Sequence, residues 1–307
     1  MMILSPSLLP FTAATTQKAA REEGFVTIRR GRFVFTVHTE YIESIISDSV
    51  LTEPIERLIS RHDTHIEGGR GAVARVDIPG IGAAFVRDYR HGGLLRALLG
   101  GRFFVPGRET RELRVLQAAR VAGLPVPDPL ASARERCGFL QGYRARIVTA
   151  EIPRTASLVT ALWEKTDRGR DTSSLLFSVG KTVRALHNTG IFHHDLNMHN
   201  ILVDENDGIF IIDFDRARLR KALGMRGRIA NLRRLLRSGR KLARLHHNAP
   251  KGWFSDDRFR ELLKGYVDGD EKLKGRLISK TTDFFPLIVR ARIGWALDDL
   301  LYRRGEK

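Results

Sequence analysis

The pattern of this chain changes once, near Glu151-Ile152-Pro153, and that change constrains the fold more than any single residue does. Before it, short aromatic and β-branched runs alternate with glycine turns; after it, apolar residues recur at helical spacing. Phe25-Val26-Thr27-Ile28 and Arg32-Phe33-Val34-Phe35-Thr36-Val37 have strand composition. Ala72-Val73-Ala74-Arg75-Val76, the turn Ile78-Pro79-Gly80-Ile81-Gly82, and Ala83-Ala84-Phe85-Val86-Arg87 read as strand, turn, strand. A helix is expected over 107–122, ended by Gly123 and barred from continuing by Pro125 and Pro127. A further strand is expected over 143–149. Beyond the connector, Leu175, Leu176, Val179, Val183 and Leu186 form one helix face, and Gly190 follows its end. Ile201-Leu202-Val203 and Phe210-Ile211-Ile212 flank the turn residues Asp204, Asn206, Asp207 and Gly208 as a hairpin. The expectation is an α+β chain in three parts: a loose arm over 1–24, a strand-rich lobe over 25–152 and a helical lobe over 153–307.

A chain of 307 residues builds one large or two modest domains with a real core. Its single cysteine, Cys137, excludes an internal disulfide framework and points to a reducing compartment. Cys137 reads as a buried structural thiol rather than a nucleophile. The first basic residue is Lys18 and two prolines interrupt the apolar start, so no secretory signal is expected. No run reaches the length of a membrane-spanning helix, which predicts a soluble or peripheral cytoplasmic protein. The net charge of +17 attracts polyanions: nucleic acid, an anionic membrane or a phosphorylated substrate. Nucleic acid is the least supported, since aromatics are 8% of residues and are not interleaved with the basic run.

The chemistry concentrates in two segments. One reads His193-His194-Asp195-Leu196-Asn197-Met198-His199-Asn200, and the other Ile211-Ile212-Asp213-Phe214-Asp215. The first resembles a protein-kinase catalytic loop, with Asp and Asn at its spacing, and the second resembles the metal-binding Asp-Phe segment that follows it. Phosphoryl transfer needs a phosphate clamp, Mg2+, a positioned hydroxyl and a carboxylate to accept its proton. Asn200 and Asp213 offer the oxygens that Mg2+ prefers. Asp195 is left to face the acceptor hydroxyl as base or orienter, the role that the resemblance to the kinase loop implies, and the same resemblance implies that His193 supports the loop through hydrogen bonds. The bland alternative is that Asp195 and Asn200 only satisfy turn backbones. A zinc site from His193, His194 and His199 lacks regular spacing and any nearby cysteine.

The clamp departs from the protein-kinase pattern. Gly69-Arg70-Gly71-Ala72-Val73-Ala74 keeps two glycines that could cradle ATP phosphates, or it is a plain hairpin turn. No lysine lies between Lys18 and Lys165; Arg87 stands where the clamp lysine is expected, and Arg90 is its competitor. Glu112 shares a helix face with Leu116 and Ala119, so it is expected to point inward and to want a cation, which Arg87 would supply. Glu109 is the alternative. Asp215 replaces the glycine after Asp-Phe, and no Ala-Pro-Glu follows, which favours a small-molecule or glycolipid acceptor over a protein.

Several segments together resemble the bacterial 3-deoxy-D-manno-octulosonic acid (Kdo) kinases of the lipopolysaccharide core, within the two-lobed protein-kinase-like fold. They are Phe85-Val86-Arg87-Asp88-Tyr89-Arg90-His91-Gly92-Gly93-Leu94, the helix and turn from Glu112 to Pro127, the hinge-like Thr149-Ala150-Glu151-Ile152-Pro153, both catalytic segments, and Asn231-Leu232-Arg233-Arg234-Leu235. The resemblance implies transfer of the ATP γ-phosphate to the 4-hydroxyl of Kdo on lipid A precursor. It also implies a Kdo-containing glycolipid substrate, ATP contact near Glu151, and the cytoplasmic face of a Gram-negative inner membrane. Core heptose kinases share the catalytic loop but differ in acceptor. No obligate protein partner is evident; a pseudokinase scaffold is the remaining alternative, since the clamp lysine is missing. From Arg216 to Ser255 there is no Asp or Glu, while Ile229, Leu232, Leu235, Leu236, Leu242 and Leu245 keep roughly helical spacing. That stretch reads either as an amphipathic helix lying on an anionic membrane or as a core-packing helix with a solvated basic back.

Overall fold

The computed structural model describes residues 21–22, 24–62, 73–90, 102–138, 142–246, 249–250 and 252–281. The arm expected over 1–24 lies almost wholly outside them, as do Gly69 and Gly71. The chain begins with β1 (Arg21–Glu22), β2 (Phe25–Arg30) and β3 (Phe33–His38), then α1 (Ile42–Ser47) and α2 (Ile55–His62). The hairpin of β4 (Val73–Ile78) and β5 (Gly82–Asp88) leads to α3 (Arg108–Val121), β6 (Pro129–Arg136) and β7 (Tyr143–Ala150). These strands form one seven-stranded antiparallel sheet in the order β1-β2-β3-β6-β7-β5-β4.

Strand alternation on β5 decides where the chemistry sits. Ala84 and Val86 point into a core shared with Ile45, Ile55 and Leu58 beneath α1 and α2. Arg87 therefore projects to the other face, where α3 packs and buries Leu113, Leu116 and Ala119. Asp88 returns to the α1 and α2 side and pairs with Arg146 of β7 at 2.6 Å. Arg146 also donates to the carbonyls of Val50 and Glu53.

The second half contains β8 (Thr155–Ser157), α4 (Leu158–Asp167), α5 (Ser173–Asn188), β9 (Ile191–Phe192), β10 (Ile201–Asp204), β11 (Ile209–Ile211), β12 (Arg218–Leu219), α6 (Met225–Leu245), α7 (Asp256–Val267) and α8 (Glu271–Thr281). Ser157 and Ser255 cap α4 and α7, each hydroxyl accepting a first-turn amide at 3.2 Å. The five apolar residues that announced α5 are all buried. Gly190 takes a φ of +83° at the turn into β9, and a Cβ there would stand 2.0 Å from the Arg220 carbonyl oxygen. Strand-rich first half and helical second half make the α+β, two-lobed protein-kinase-like arrangement.

Of the two readings of the basic stretch the structure favours one, and the expectation for Cys137 is corrected. The apolar stripe of α6 packs inward: Ile229, Leu232 and Leu235 are buried, and Leu236 and Leu242 pack against the same core. The helix is the core-packing kind with a basic back, so its apolar face is not free to enter a bilayer. Cys137 is half-buried on the turn after β6, rather than buried. No described helix is long and apolar enough to cross a membrane.

Candidate active site

The loop between β9 and β10 is built around its own polar side chains. Asn197 caps the turn Met198–Asn200, its Oδ1 accepting the backbone N–H groups of His199 and Asn200 at 2.9 and 3.1 Å. Asn200 Nδ2 donates to the Asp195 carbonyl at 2.8 Å, which leaves Asn200 Oδ1 as its free acceptor. The Asp195 carboxylate makes no such turn bond. It is half exposed and takes the Nη1 of Arg234 at 3.2 Å.

His193 ties the loop to its surroundings. Its Nε2 donates to the Ile212 carbonyl at 3.0 Å, and its ring packs edge-on against Phe214, centroids 5.0 Å apart. Burial lowers its pKa, so the ring is a neutral donor and not a cation. Asn231 of α6 clamps the His193 backbone from the other side, accepting its N–H at 3.2 Å and donating to its carbonyl at 2.6 Å. Ile212 N–H donates to the Asn200 carbonyl at 3.0 Å, which holds the loop beside the residue preceding Asp213.

Asp213 has a φ of +60°, a left-handed conformation that Asp tolerates better than most residues. Its Oδ1 accepts from Arg87 Nη1 at 2.8 Å. Arg87 Nη2 donates to Glu112 Oε1 at 2.5 Å, and Tyr89 Oη donates to Glu112 Oε2 at 2.5 Å. One guanidinium thus bridges β5, α3 and the segment after β11, a use of the planar fork that a lysine could not copy. Burial pushes the Glu112 carboxyl up to about 7, against the downward pull of Arg87 and the Tyr89 hydroxyl. Burial alone would weaken the Arg87 cation, but Glu112, Tyr89 and Asp213 raise its pKa on balance.

Asp215 sits under a second arginine. Arg108 in the first turn of α3 grips it with Nε to Oδ1 at 2.6 Å and Nη2 to Oδ2. The Arg108 guanidinium lies over the rings of Tyr89 and Phe103, at 5.0 and 5.1 Å. Burial would raise the Asp215 carboxyl, but Arg108 holds it below the usual carboxylate range.

The competitors go elsewhere. Arg90 pairs with Glu56 of α2 at 3.0 Å, and the buried Glu109 faces Arg134 of β6 at 3.4 Å. Glu151 stands at the connector with its carboxylate held by Arg75 Nε and Nη2. Among the described residues no three His, Cys, Asp or Glu side chains are arranged to hold a metal, so His193, His194 and His199 form no such site. Asn200 Oδ1 and the Asp213 carboxylate are hard oxygen donors of the kind that Mg2+ shares with phosphate. Sequence reasoning assigns no site role to Tyr89, Arg108, Asn231 or Arg234, although Tyr89, Asn231 and Arg234 lie in segments that carry the resemblance. Tyr89 had a signal, being two residues after Arg87 and so on the same strand face. Asp215 in place of glycine was a signal for a cation, without saying which one.

The sheet that carries Arg87 beside Glu112 of α3, and the helix-backed loop that carries Asp195 and Asn200, are the two halves of a protein-kinase-like fold. A family model described as Lipopolysaccharide kinase (Kdo/WaaP) family matches residues 68–266, and the chain belongs to that family. It is therefore a kinase of the lipopolysaccharide core type. A 3-deoxy-D-manno-octulosonic acid kinase of Xylella fastidiosa (strain 9a5c) is 37% identical over 176 residues, covering 56% of this chain and 67% of that protein. The protein of the same name from Vibrio vulnificus (strain CMCP6) is 34% identical over 204 residues, 64% of this chain and 80% of its own. The solved structure titled WaaP in complex with acyl carrier protein is 18% identical, with a TM-score of 0.47, covering 75% of this chain and 92% of that one.

Proposed function

We propose that this kinase phosphorylates Kdo on a lipid A precursor, at the sugar's 4-hydroxyl, using ATP. The observation that carries the reading is the bridge made by Arg87, which contacts Glu112 and Asp213 at once. That a cation is held between strand, helix and Asp213 supports a role at the nucleotide phosphates rather than in the core alone. The names of the relatives supply the acceptor.

In this reading Asp195 accepts the proton of the acceptor hydroxyl, and its partly open carboxylate suits that task. Asn200 Oδ1 and Asp213 would hold Mg2+, which when bound neutralises phosphate charge. Arg87 orients the nucleotide phosphates, Glu112 and Tyr89 fix Arg87, and His193 and Asn231 fix the loop. Gly69 and Gly71 would cradle phosphates, and the connector at Glu151 would border the nucleotide. Residues 25–152 are then the nucleotide lobe, and 153–307 the lobe that takes the acceptor. The basic back of α6 would rest by charge alone on an anionic membrane, at the cytoplasmic face of a Gram-negative inner membrane.

The test is a mass-spectrometric phosphate count after incubation with ATP and either Kdo-lipid A precursor or heptosylated core. One phosphate on the Kdo acceptor alone is expected. Phosphate on heptose alone would replace this reading with that of a core heptose kinase. Asp195→Ala should lower turnover by about 10²–10⁴-fold, as loss of a catalytic base does. Unchanged turnover in that variant removes Asp195 from the mechanism.

A further inference from the structure

Arg234 is the cation that touches Asp195, and nothing in phosphate binding or loop building uses it. It lies on α6 between two residues that dock the helix on the catalytic loop. Asn231 clamps the His193 backbone, and Ser238 Oγ accepts the Met198 N–H at 3.2 Å. Positions three before and four after share its helix face, so Arg234 is held against the loop by register and not by chance. Its Nη1 donates to Asp195 Oδ1 at 3.2 Å, and its side chain is 37% exposed.

A guanidinium carries five N–H donors in a planar fork, and one of them is used here among the described residues. The other two site arginines have other work: Arg87 contacts Glu112 and Asp213 and is assigned to the nucleotide phosphates, and Arg108 is paired with Asp215. Arg234 thus offers free donors beside the carboxylate that the acceptor hydroxyl is proposed to meet. A fork of this geometry matches a carboxylate in bidentate fashion. The loop from His193 to Asn200 contains no Lys or Arg of its own that could do so.

Resting on the acceptor reading above, we infer that Arg234 is a specificity-determining residue. Its guanidinium takes the carboxylate of the acidic acceptor sugar and turns the ring so that its hydroxyl faces Asp195. Octulosonic acid carries that carboxylate on the same ring as the hydroxyl. A heptose carries none, so the contact separates the two acceptor types.

The experiment compares wild type, Arg234→Gln and Arg234→Lys as full-length enzyme, by kcat/KM on Kdo-lipid A precursor, its Kdo methyl ester and its dephosphorylated lipid. Wild type should lose about 10- to 100-fold on the ester, the worth of a charge-assisted hydrogen-bonded pair. Arg234→Gln should lose a similar factor on the free acid and no longer distinguish acid from ester, with Arg234→Lys in between. Equal rates of wild type on acid and ester overturn the inference without any variant. It also falls if Arg234→Gln keeps the wild-type preference, or if the preference it loses is for the lipid phosphates. A wild type inactive on every Kdo acceptor defeats the acceptor reading, and this inference with it. Activity on the acid with no acid–ester preference defeats the inference alone.

Discussion

His187 is a buried imidazole with one partner of each kind, and this makes it an acid-sensitive support for the catalytic loop. Asn231 donates its amide N–H to the His193 carbonyl, so its Oδ1 is the acceptor for His187 Nε2, 3.1 Å away. Nδ1 must then accept from the Tyr266 hydroxyl at 2.8 Å. A second proton, on Nδ1, would force the Tyr266 hydroxyl to turn from donor to acceptor, and burial with the nearby Arg228 drives the pKa down to about 3 despite the Asn231 bond. The unfolded chain takes up that proton near the ordinary imidazole value of about 6.5, while the folded one does not. The stability is therefore complete above the unfolded value and is lost as pH falls toward the folded one. Urea unfolding of wild type should show a loss of about 1.4 kcal/mol per pH unit from this group below that onset. His193, also lowered by burial, adds in the same direction. His187→Gln should be less stable at neutral pH but should titrate with one proton fewer. Identical slopes for the two proteins would exclude His187 as the acid-sensitive group.

Among the elements, α5 and α7 approach each other backbone to backbone, because each presents a glycine at their crossing. A Cβ on Gly180 would stand 2.0 Å from the Leu262 carbonyl oxygen, and one on Gly265 would stand 1.9 Å from that of Phe177. Backbone cannot yield as a side chain does, so the helices must separate. Gly180→Ala and Gly265→Ala should each destabilise by about 1–3 kcal/mol, the range for overpacked cores. The double variant should cost less than the sum, since one separation relieves both clashes. Gly275 of α8 has no atom of the described residues near its Cβ position, and Gly275→Ala there should stabilise by about 1 kcal/mol through helix propensity. Thermal melts of the four variants decide this; additive losses would mean two independent contacts. The stripe that announces α5 was legible in the sequence, as were α3 with its glycine stop and the β10–β11 hairpin. The helices α1 and α2 were not, being six and eight residues, too short for a periodic signal. Nor was β6, whose Pro-Leu-Ala-Ser-Ala-Arg-Glu-Arg has little strand propensity and is a strand because β3 and β7 pair with it. The site divides in the same way. Asp195, Asn200 and Asp213 announce themselves by spacing, and Arg87 with Glu112 by strand and helix faces. The Arg108–Asp215 pair spans 107 residues and the Arg234–Asp195 pair 39, separations at which no local pattern signals a contact.

For the whole molecule, the excess of +17 is unevenly spread, and the fold decides how it can be used. The run from Arg216 to Ser255 lacks any acid, and Arg216, Arg218, Arg220, Lys221, Arg226, Arg237 and Lys241 are exposed along it. Because Ile229, Leu232 and Leu235 are consumed by the core, attachment to a bilayer cannot come from inserting this helix. It must be coulombic, about 1 kcal/mol for each cation near an anionic surface, and screened over a few ångströms at high salt. Vesicle co-sedimentation should therefore show binding to anionic vesicles and little to neutral ones. Raising salt to about 1 M, where the Debye length is about 3 Å, should release the protein. Replacing Arg237 and Lys241 together by Gln should weaken binding to anionic vesicles by about 10-fold or more while leaving the melting temperature unchanged, because neither side chain serves the core. Equal binding to neutral and anionic vesicles, insensitive to salt, would remove the charged back of α6 as the membrane contact and require an apolar anchor elsewhere in the chain.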